Sequence, residues 1–509
     1  MSAHFPILVV VIPLFVSFIV LLCSFTPYRW YEWYLSTAAT CLSFLISLSL
    51  LFSVLQNGPI SYRLGGWAPP WGIEYRIDYF SGFMLVIVAL VVFVTCVYAG
   101  KSILGSGSLT RQVIGDEGAI QIFTLYLLLS AGLFGIIVTG DMFNLYVFLE
   151  VASLSAYALV GIGYKKRSIV AGFNYLILGS IGACLYLLSV GYLYIMTGTL
   201  NMADLAQRLP AIYESKVILV AFALLMVGLF IKMALFPLHA WLPDAHGLAP
   251  SVVSAILSGC VIEVAAYAMI RSMFTVFTPA FVFEVLPIAG VLSVVAMVAM
   301  IAGSTMALAQ TDIKRMLACS SVGQMGYIIL GVSIANHTGL TGALVHLFSH
   351  AIIKASLFLS VGSVIYQTHI YEISDLEGQG RRMPITFAVF TIGALGMVGV
   401  PLTTGFVTEW KLAVGALEAG KGFMVPVLLL SALLNAIYFG RVLEIVWFKK
   451  DDTPGPEHES ETEKGYVTKA PLSLAIPPLI LVSFSIIFGI AAFIPVSIAE
   501  KAAAMLLGG

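Results

Sequence analysis

Apolar runs of about 20 residues recur along the whole 509-residue chain, and a run of that length spans the hydrocarbon core of a bilayer when coiled as an α-helix. They fall near 5–25, 33–55, 79–100, 119–138, 141–163, 169–197, 217–239, 251–273, 281–305, 315–335, 341–366, 384–415, 423–448 and 471–494. With 60% hydrophobic and only 10% charged residues, the chain is too poor in polar side chains to cover a water-soluble globule. The expected fold class is an all-α polytopic membrane protein of about 14 transmembrane helices. The first run has no basic stretch before it and no clear small-residue cleavage site, so it reads as a retained helix.

Lys and Arg in the loops set the orientation. Loops after odd-numbered spans hold fourteen of them, including Lys101, Lys165, Lys166, Lys314, Arg315, Arg381 and Arg382. The opposite side holds seven, including Arg271 and Lys421, while Lys232, Lys354, Lys411 and Arg441 fall inside spans. The richer side is read as cytoplasmic, which puts both termini on the outer side of a cell membrane. The stretch 449–470, with Asp451, Asp452, Glu457, Glu459, Glu461 and Glu463, reads as an acidic, solvated cytoplasmic loop. A net charge of −1 without a sustained basic face argues against nucleic acid as a partner. The six cysteines are scattered singly, and neither a phosphate-cradling glycine loop nor a dinucleotide fingerprint is present. No cofactor and no redox catalysis are therefore expected in this chain.

Two spans carry helix breakers: Pro237 and Pro243 in the seventh, Pro401 in the twelfth. Proline removes a backbone hydrogen bond, which is tolerable at membrane depth only where protein or a water-filled cavity satisfies the freed carbonyl. Paired interruptions five spans apart point to two inverted five-helix repeats, 116–275 (helices 4–8) and 276–448 (helices 9–13). They are preceded by helices 1–3 (1–115) and followed by the acidic loop and a C-terminal helix 14 (471–509).

Charged residues inside apolar spans mark functional positions, because inserting a carboxylate there costs roughly 2.5–3.5 kcal/mol. Glu150 in the fifth span and Lys232 in the seventh make a candidate pair. Opposite charge favours the ionised forms and burial the neutral ones, so a passing charge can tip the balance; the alternative is a static ion pair fixing two helices. Glu263 stands isolated in the eighth span and should face the protein interior. His346, His350 and Lys354 recur at i, i+4 and i+8, one stripe of the eleventh span. With Lys354 on the stripe and no acid or thiol among it, a proton wire is a better reading than a metal site. Glu409 forms the acidic end of the second half, with Lys411 on another face.

The stretches GDMFNLYVFLE (140–150), KMALFPLHAWLPDAHGLAPSVVSAILSG (232–259), AQTDIKRMLACSSVGQMGY (309–327), HLFSHAIIKASLFLSVGSV (346–364) and GVPLTTGFVTEW (399–410) resemble a known family. It comprises the antiporter-like membrane subunits of respiratory complex I, Mrp-type sodium/proton antiporters and energy-converting membrane-bound hydrogenases; the first motif looks most like the Mrp D subunit and its hydrogenase counterpart. The resemblance implies that Glu150 and Lys232 are the family's glutamate and lysine pair. It also implies that His346, His350 and Lys354 occupy its central positions. His239, beside the first break, joins them as a candidate translocation residue. Where many members carry a lysine in the eighth helix this chain has Glu263, and in the twelfth it has Glu409. The implied function is movement of protons, or their exchange for sodium, in a multisubunit complex with further antiporter-like subunits, such as a membrane-bound hydrogenase or related ferredoxin-linked oxidoreductase. A stand-alone Mrp-type antiporter, a single-chain transporter of an organic solute and a structural subunit that has lost transport are the rivals.

Overall fold

The computed structural model describes residues 2–22, 31–105, 108–163, 165–449 and 470–508. The acidic loop expected at 449–470 lies almost wholly outside the described residues. Among those described, twelve helices are long and apolar enough to cross a membrane. The count of fourteen is not reached on that criterion because the seventh and twelfth runs are broken. The seventh stops as Lys216–Lys232 (17 residues), and the twelfth divides into Pro384–Val398 and Thr404–Glu418 (15 residues each). The ninth run also begins later than expected: Leu286, extended ahead of Pro287, interrupts the helix, and the span is Ala289–Leu308.

Helices begin where a short polar side chain can take up free backbone N–H groups. Asp78 accepts from Phe80 N (3.1 Å) and Ser81 N (3.0 Å) to open Tyr79–Leu104, while Ser81 Oγ accepts from Asp78 N in a capping box. Asp141, Asp312 and Asn336 cap Met142–Gly161, Ile313–Ile334 and His337–Thr368 in the same way. The apolar stretches of Ile313–Ile334 and His337–Thr368 are enclosed on every side and form the core. Around them pack Tyr79–Leu104, the run 251–276, Thr404–Glu418 and Leu472–Ile490. A two-stranded hairpin, Ile60–Arg63 with Glu74–Ile77, lies between the second and third spans.

Several cations assigned to loops, and Arg441 assigned to a span, are in fact structural. Lys314 donates to Ala249 O (2.5 Å), and Lys421 to Ser333 O (2.9 Å) and Ile334 O (3.1 Å). Arg441 caps Ala289–Leu308 through Leu308 O and Gln310 O. Each satisfies carbonyls at or beyond a helix C-terminus, where the helix dipole also favours positive charge. Arg271 is buried against Asp78.

One helix was not foreseen. Phe493–Leu507 follows Leu472–Ile490 and packs on His337–Thr368 and Tyr79–Leu104. Lys411 Nζ reaches Glu500 Oε1 on it at 3.0 Å. Both side chains are partly exposed (28% and 41%), so the pair stabilises by at most about 1 kcal/mol. Glu500→Gln is therefore expected to leave the thermal unfolding midpoint nearly unchanged.

Candidate functional site

Lys232 is the last residue of the Lys216–Lys232 helix, placed where the negative end of the helix dipole favours an ammonium. Beyond it the backbone leaves the helix at Met233, passes through Pro237 and resumes as Leu242–Leu248. Trp241 Nε1 donates to Ile231 O (2.9 Å), satisfying a carbonyl at the break, and Tyr175 stacks on the Trp241 ring at 3.9 Å. Pro243 breaks nothing: it opens the short helix, where its missing N–H is harmless.

The Lys232 ammonium meets Glu150 Oε1 at 3.4 Å, Ser153 Oγ at 2.8 Å and Tyr157 OH at 3.1 Å, which accounts for its three donors. The expected pair is thus present. Ser153 and Tyr157 went unmarked in the sequence, although they follow Glu150 at i+3 and i+7 and so share its helix face. A cavity of about 20 Å³, enough for a water molecule, adjoins Lys232 and is lined by Ser153, Tyr175, Val261, Val264, Ala265 and Ala268 among others.

Val261, Val264, Ala265 and Ala268 define one face of the eighth helix. Glu263, two residues from both 261 and 265, projects from the other side, where its Oε1 contacts His350 Nδ1 with both side chains wholly buried. Glu263 does face the interior, as expected, but it is not isolated. The expected row of titratable groups is, in turn, not continuous: between Lys232 and Glu263 stands the apolar face of a helix.

The histidine stripe fans out onto three helices. His346 Nδ1 lies 3.1 Å from Thr408 Oγ1, and Thr408 in turn donates to Gly405 O (2.7 Å). Thr408 therefore accepts from His346, which assigns the proton to Nδ1 and leaves Nε2 an open acceptor, without a partner among the described residues. The Tyr327 ring stacks on His346 at 5.3 Å. Lys354 turns to Leu317 O (2.9 Å) and to Ser320 Oγ. Glu409 follows Thr408 and packs its carboxyl group against Gly399, where the backbone is left-handed (φ 83°) and a Cβ would collide with that carboxyl. The second break thus runs from Gly399 through Pro401 to Thr403, with Asn435 Nδ2 on Met397 O at 3.3 Å.

Two histidines exchange importance. His239 stands half-buried in the first break with its ring 5.2 Å from Phe236, and no hydrogen bond or ion pair ties it to Lys232. His246, which the sequence did not single out, is wholly buried with neither ring nitrogen partnered among the described residues. Its ring lies 5.1 Å from Phe358, and Lys314, Lys354 and His350 are its charged or titratable neighbours. Its sequence signal was weak, since a histidine past the end of an apolar run reads as a loop residue.

Spans broken at two points and a set of carboxylates, ammoniums and imidazoles buried between them define a multi-span membrane protein organised around ionisable groups. Similarity to known proteins narrows that class. The chain belongs to the NADH:quinone oxidoreductase/Mrp antiporter transmembrane family, whose profile matches residues 139–435, and it is an antiporter-like membrane subunit. It is 43% identical to NADH-quinone oxidoreductase subunit N of Desulforudis audaxviator (strain MP104C) over 484 residues, 94% of each chain. It is 29% identical to the D subunit of an Na(+)/H(+) antiporter of Bacillus subtilis (strain 168), over 96% of this chain and 94% of that one. Among solved structures, a chain of an archaeal membrane-bound sulfane sulfur reductase superposes with a TM-score of 0.86 at 30% identity, covering 99% of this chain and 97% of that one.

Proposed function

We propose that this subunit moves protons across the membrane within a multisubunit complex, using Glu150, Lys232, Glu263, His350, His346 and Glu409, with His239 and Lys354 as flanking groups. The observation that carries this reading is the Glu150–Lys232 pair, held at the end of a broken helix beside a water-sized cavity. Such a pair can open and close as charge arrives.

Partners are supported by where the pair sits. Glu150 shares a helix stripe with Phe143, Val147 and Leu154, which are 45%, 40% and 55% exposed, and its own side chain is 24% exposed. A carboxylate on a lipid-facing stripe is costly, and a neighbouring membrane subunit removes that cost by covering it. The Lys/Arg bias of the loops supports termini on the outer side, and the paired helix breaks support repeats at 116–275 and 276–448. The reductase likeness favours a redox-driven host complex of the membrane-bound hydrogenase type, and the likeness to a component of an Na(+)/H(+) antiporter keeps sodium exchange as the second reading. An organic solute is disfavoured by the size of the cavity at Lys232, about 20 Å³, against several hundred for a small-molecule site.

The test is proton movement by the assembled complex in liposomes holding a pH-sensitive dye. Glu409→Gln is expected to lower it about tenfold or more while the neighbouring subunits still co-purify. Wild-type movement in that variant would remove Glu409 from the route, and movement by the native complex that is indifferent to replacing sodium with potassium would reject sodium exchange.

A further inference from the structure

The contact between Glu263 and His350 gives the proton-moving reading, on which this inference rests, a chemical form that differs from a lone lysine. Both side chains are wholly inaccessible, one on the run 251–276 and the other on His337–Thr368. A short π-helical segment, Leu257–Val261, ends two residues before Glu263, and its wider turn rotates the following residues relative to those before it. The titratable and charged groups around the two are Cys260, His246, His346 and Lys354. Lys354 is the one lysine among these, and its Nζ donates to Leu317 O and Ser320 Oγ, not to the carboxylate.

A bare carboxylate beside a neutral imidazole would leave an uncompensated charge in the interior, among the least tolerable things a protein core can hold. One additional proton removes it. On the carboxyl group that proton is donated to Nδ1; on the ring it makes an imidazolium–carboxylate pair. The two forms hold the same number of protons. Meanwhile the far ends, Glu263 Oε2 and His350 Nε2, are buried without partners among the described residues, and the His346 ring lies 6.3 Å from that of His350.

We propose that Glu263 and His350 act as one proton-holding dyad, neutral when loaded and singly negative when empty, at the centre of the route. Loading forms one O–H or N–H bond and unloading breaks it; no other bond changes. A lysine alternates between +1 and 0, whereas the dyad alternates between 0 and −1. Emptying it therefore favours the charged form of Lys354, one turn along the same helix. The partnerless Oε2 and Nε2 are the two points at which water or His346 exchanges the proton.

The experiment compares Glu263→Gln, His350→Gln and the double variant in the assembled, reconstituted complex. Each single change is expected to lower proton movement about tenfold or more, and the double no further than the worse single, because residues acting as a unit are not additive. Infrared difference spectra should show a carboxyl or carboxylate band that changes on loading, disappears in Glu263→Gln and shifts in His350→Gln. Losses that multiply in the double variant, or wild-type movement in either single, overturn the dyad. If Glu263→Gln does not assemble, Glu263→Asp, which withdraws the carboxylate by one methylene, should show the same loss, and wild-type movement there counts equally against it. Glu150→Gln measured alongside separates the two levels. If Glu150→Gln stops movement and the dyad variants do not, only the dyad fails; if all three move protons normally, the proton-moving reading falls with it.

Discussion

Lys232→Met is expected to reduce proton movement by the assembled complex about a hundredfold or more. Methionine fills nearly the same volume, so packing between the fifth and seventh spans survives. What disappears is the charge that meets Glu150 at 3.4 Å and the donors to Ser153 and Tyr157 at 2.8 and 3.1 Å. Without that cation Glu150 has no partner charge, so no pair remains to be tipped by an arriving charge. Lys232→Arg is the more discriminating change. It keeps a cation opposite Glu150, but a guanidinium does not release its proton at any accessible pH. If the pair only clamps two helices, arginine should serve; if the ammonium exchanges protons, arginine should fail almost as fully as methionine. Dye-reported acidification in liposomes, normalised to co-purified complex, decides between them, and normal movement in Lys232→Arg would reduce the pair to a clamp.

Much of the fold was legible because membrane spans are written locally. An apolar run is visible without knowing what it packs against, and its proline is visible too. The extent of a break is not: the helix before Pro237 stops at Lys232, five residues ahead, and Trp241 reaches back to Ile231 O across the gap. Charged residues in spans were legible as important but not as pairs. Glu263 looked isolated because its partner His350 lies 87 residues away on another helix. Ser153 and Tyr157 could have been found from helical spacing alone, whereas His246 could not, since only the folding of Leu242–Leu248 into the core makes it a buried group. Loop counting had a related weakness. By position Arg271, Lys314 and Lys421 count as loop charges, but whether a cation near a span end faces water or a protein acceptor is a property of packing.

Arg271 illustrates that difference and is the second site of large expected effect, this time on stability. Its NH1 and NH2 donate to Asp78 Oδ2 and Oδ1, both at 2.7 Å, and its Nε and NH2 reach Tyr267 OH at 3.2 and 3.1 Å. Asp78 is 1% exposed and also caps the third span. Arg271→Met would strand that carboxylate in the interior, a loss of about 3–5 kcal/mol for a buried pair broken on one side. The thermal unfolding midpoint of the purified complex should fall accordingly, while Arg271→Lys should recover only part because an ammonium cannot engage both oxygens in a planar fork. Asp78→Asn combined with Arg271→Met removes the stranded charge yet leaves a side-chain oxygen to cap Phe80 and Ser81, so it should be clearly more stable than Arg271→Met alone. Because the pair is two helical turns from Glu263 and shares no hydrogen bond with Glu150, Lys232, His350 or Glu409, proton movement per assembled complex should stay near wild type in that double variant. A double variant as unstable as the single would mean that the guanidinium holds the eighth span by its shape and its bonds to Tyr267, not by neutralising Asp78.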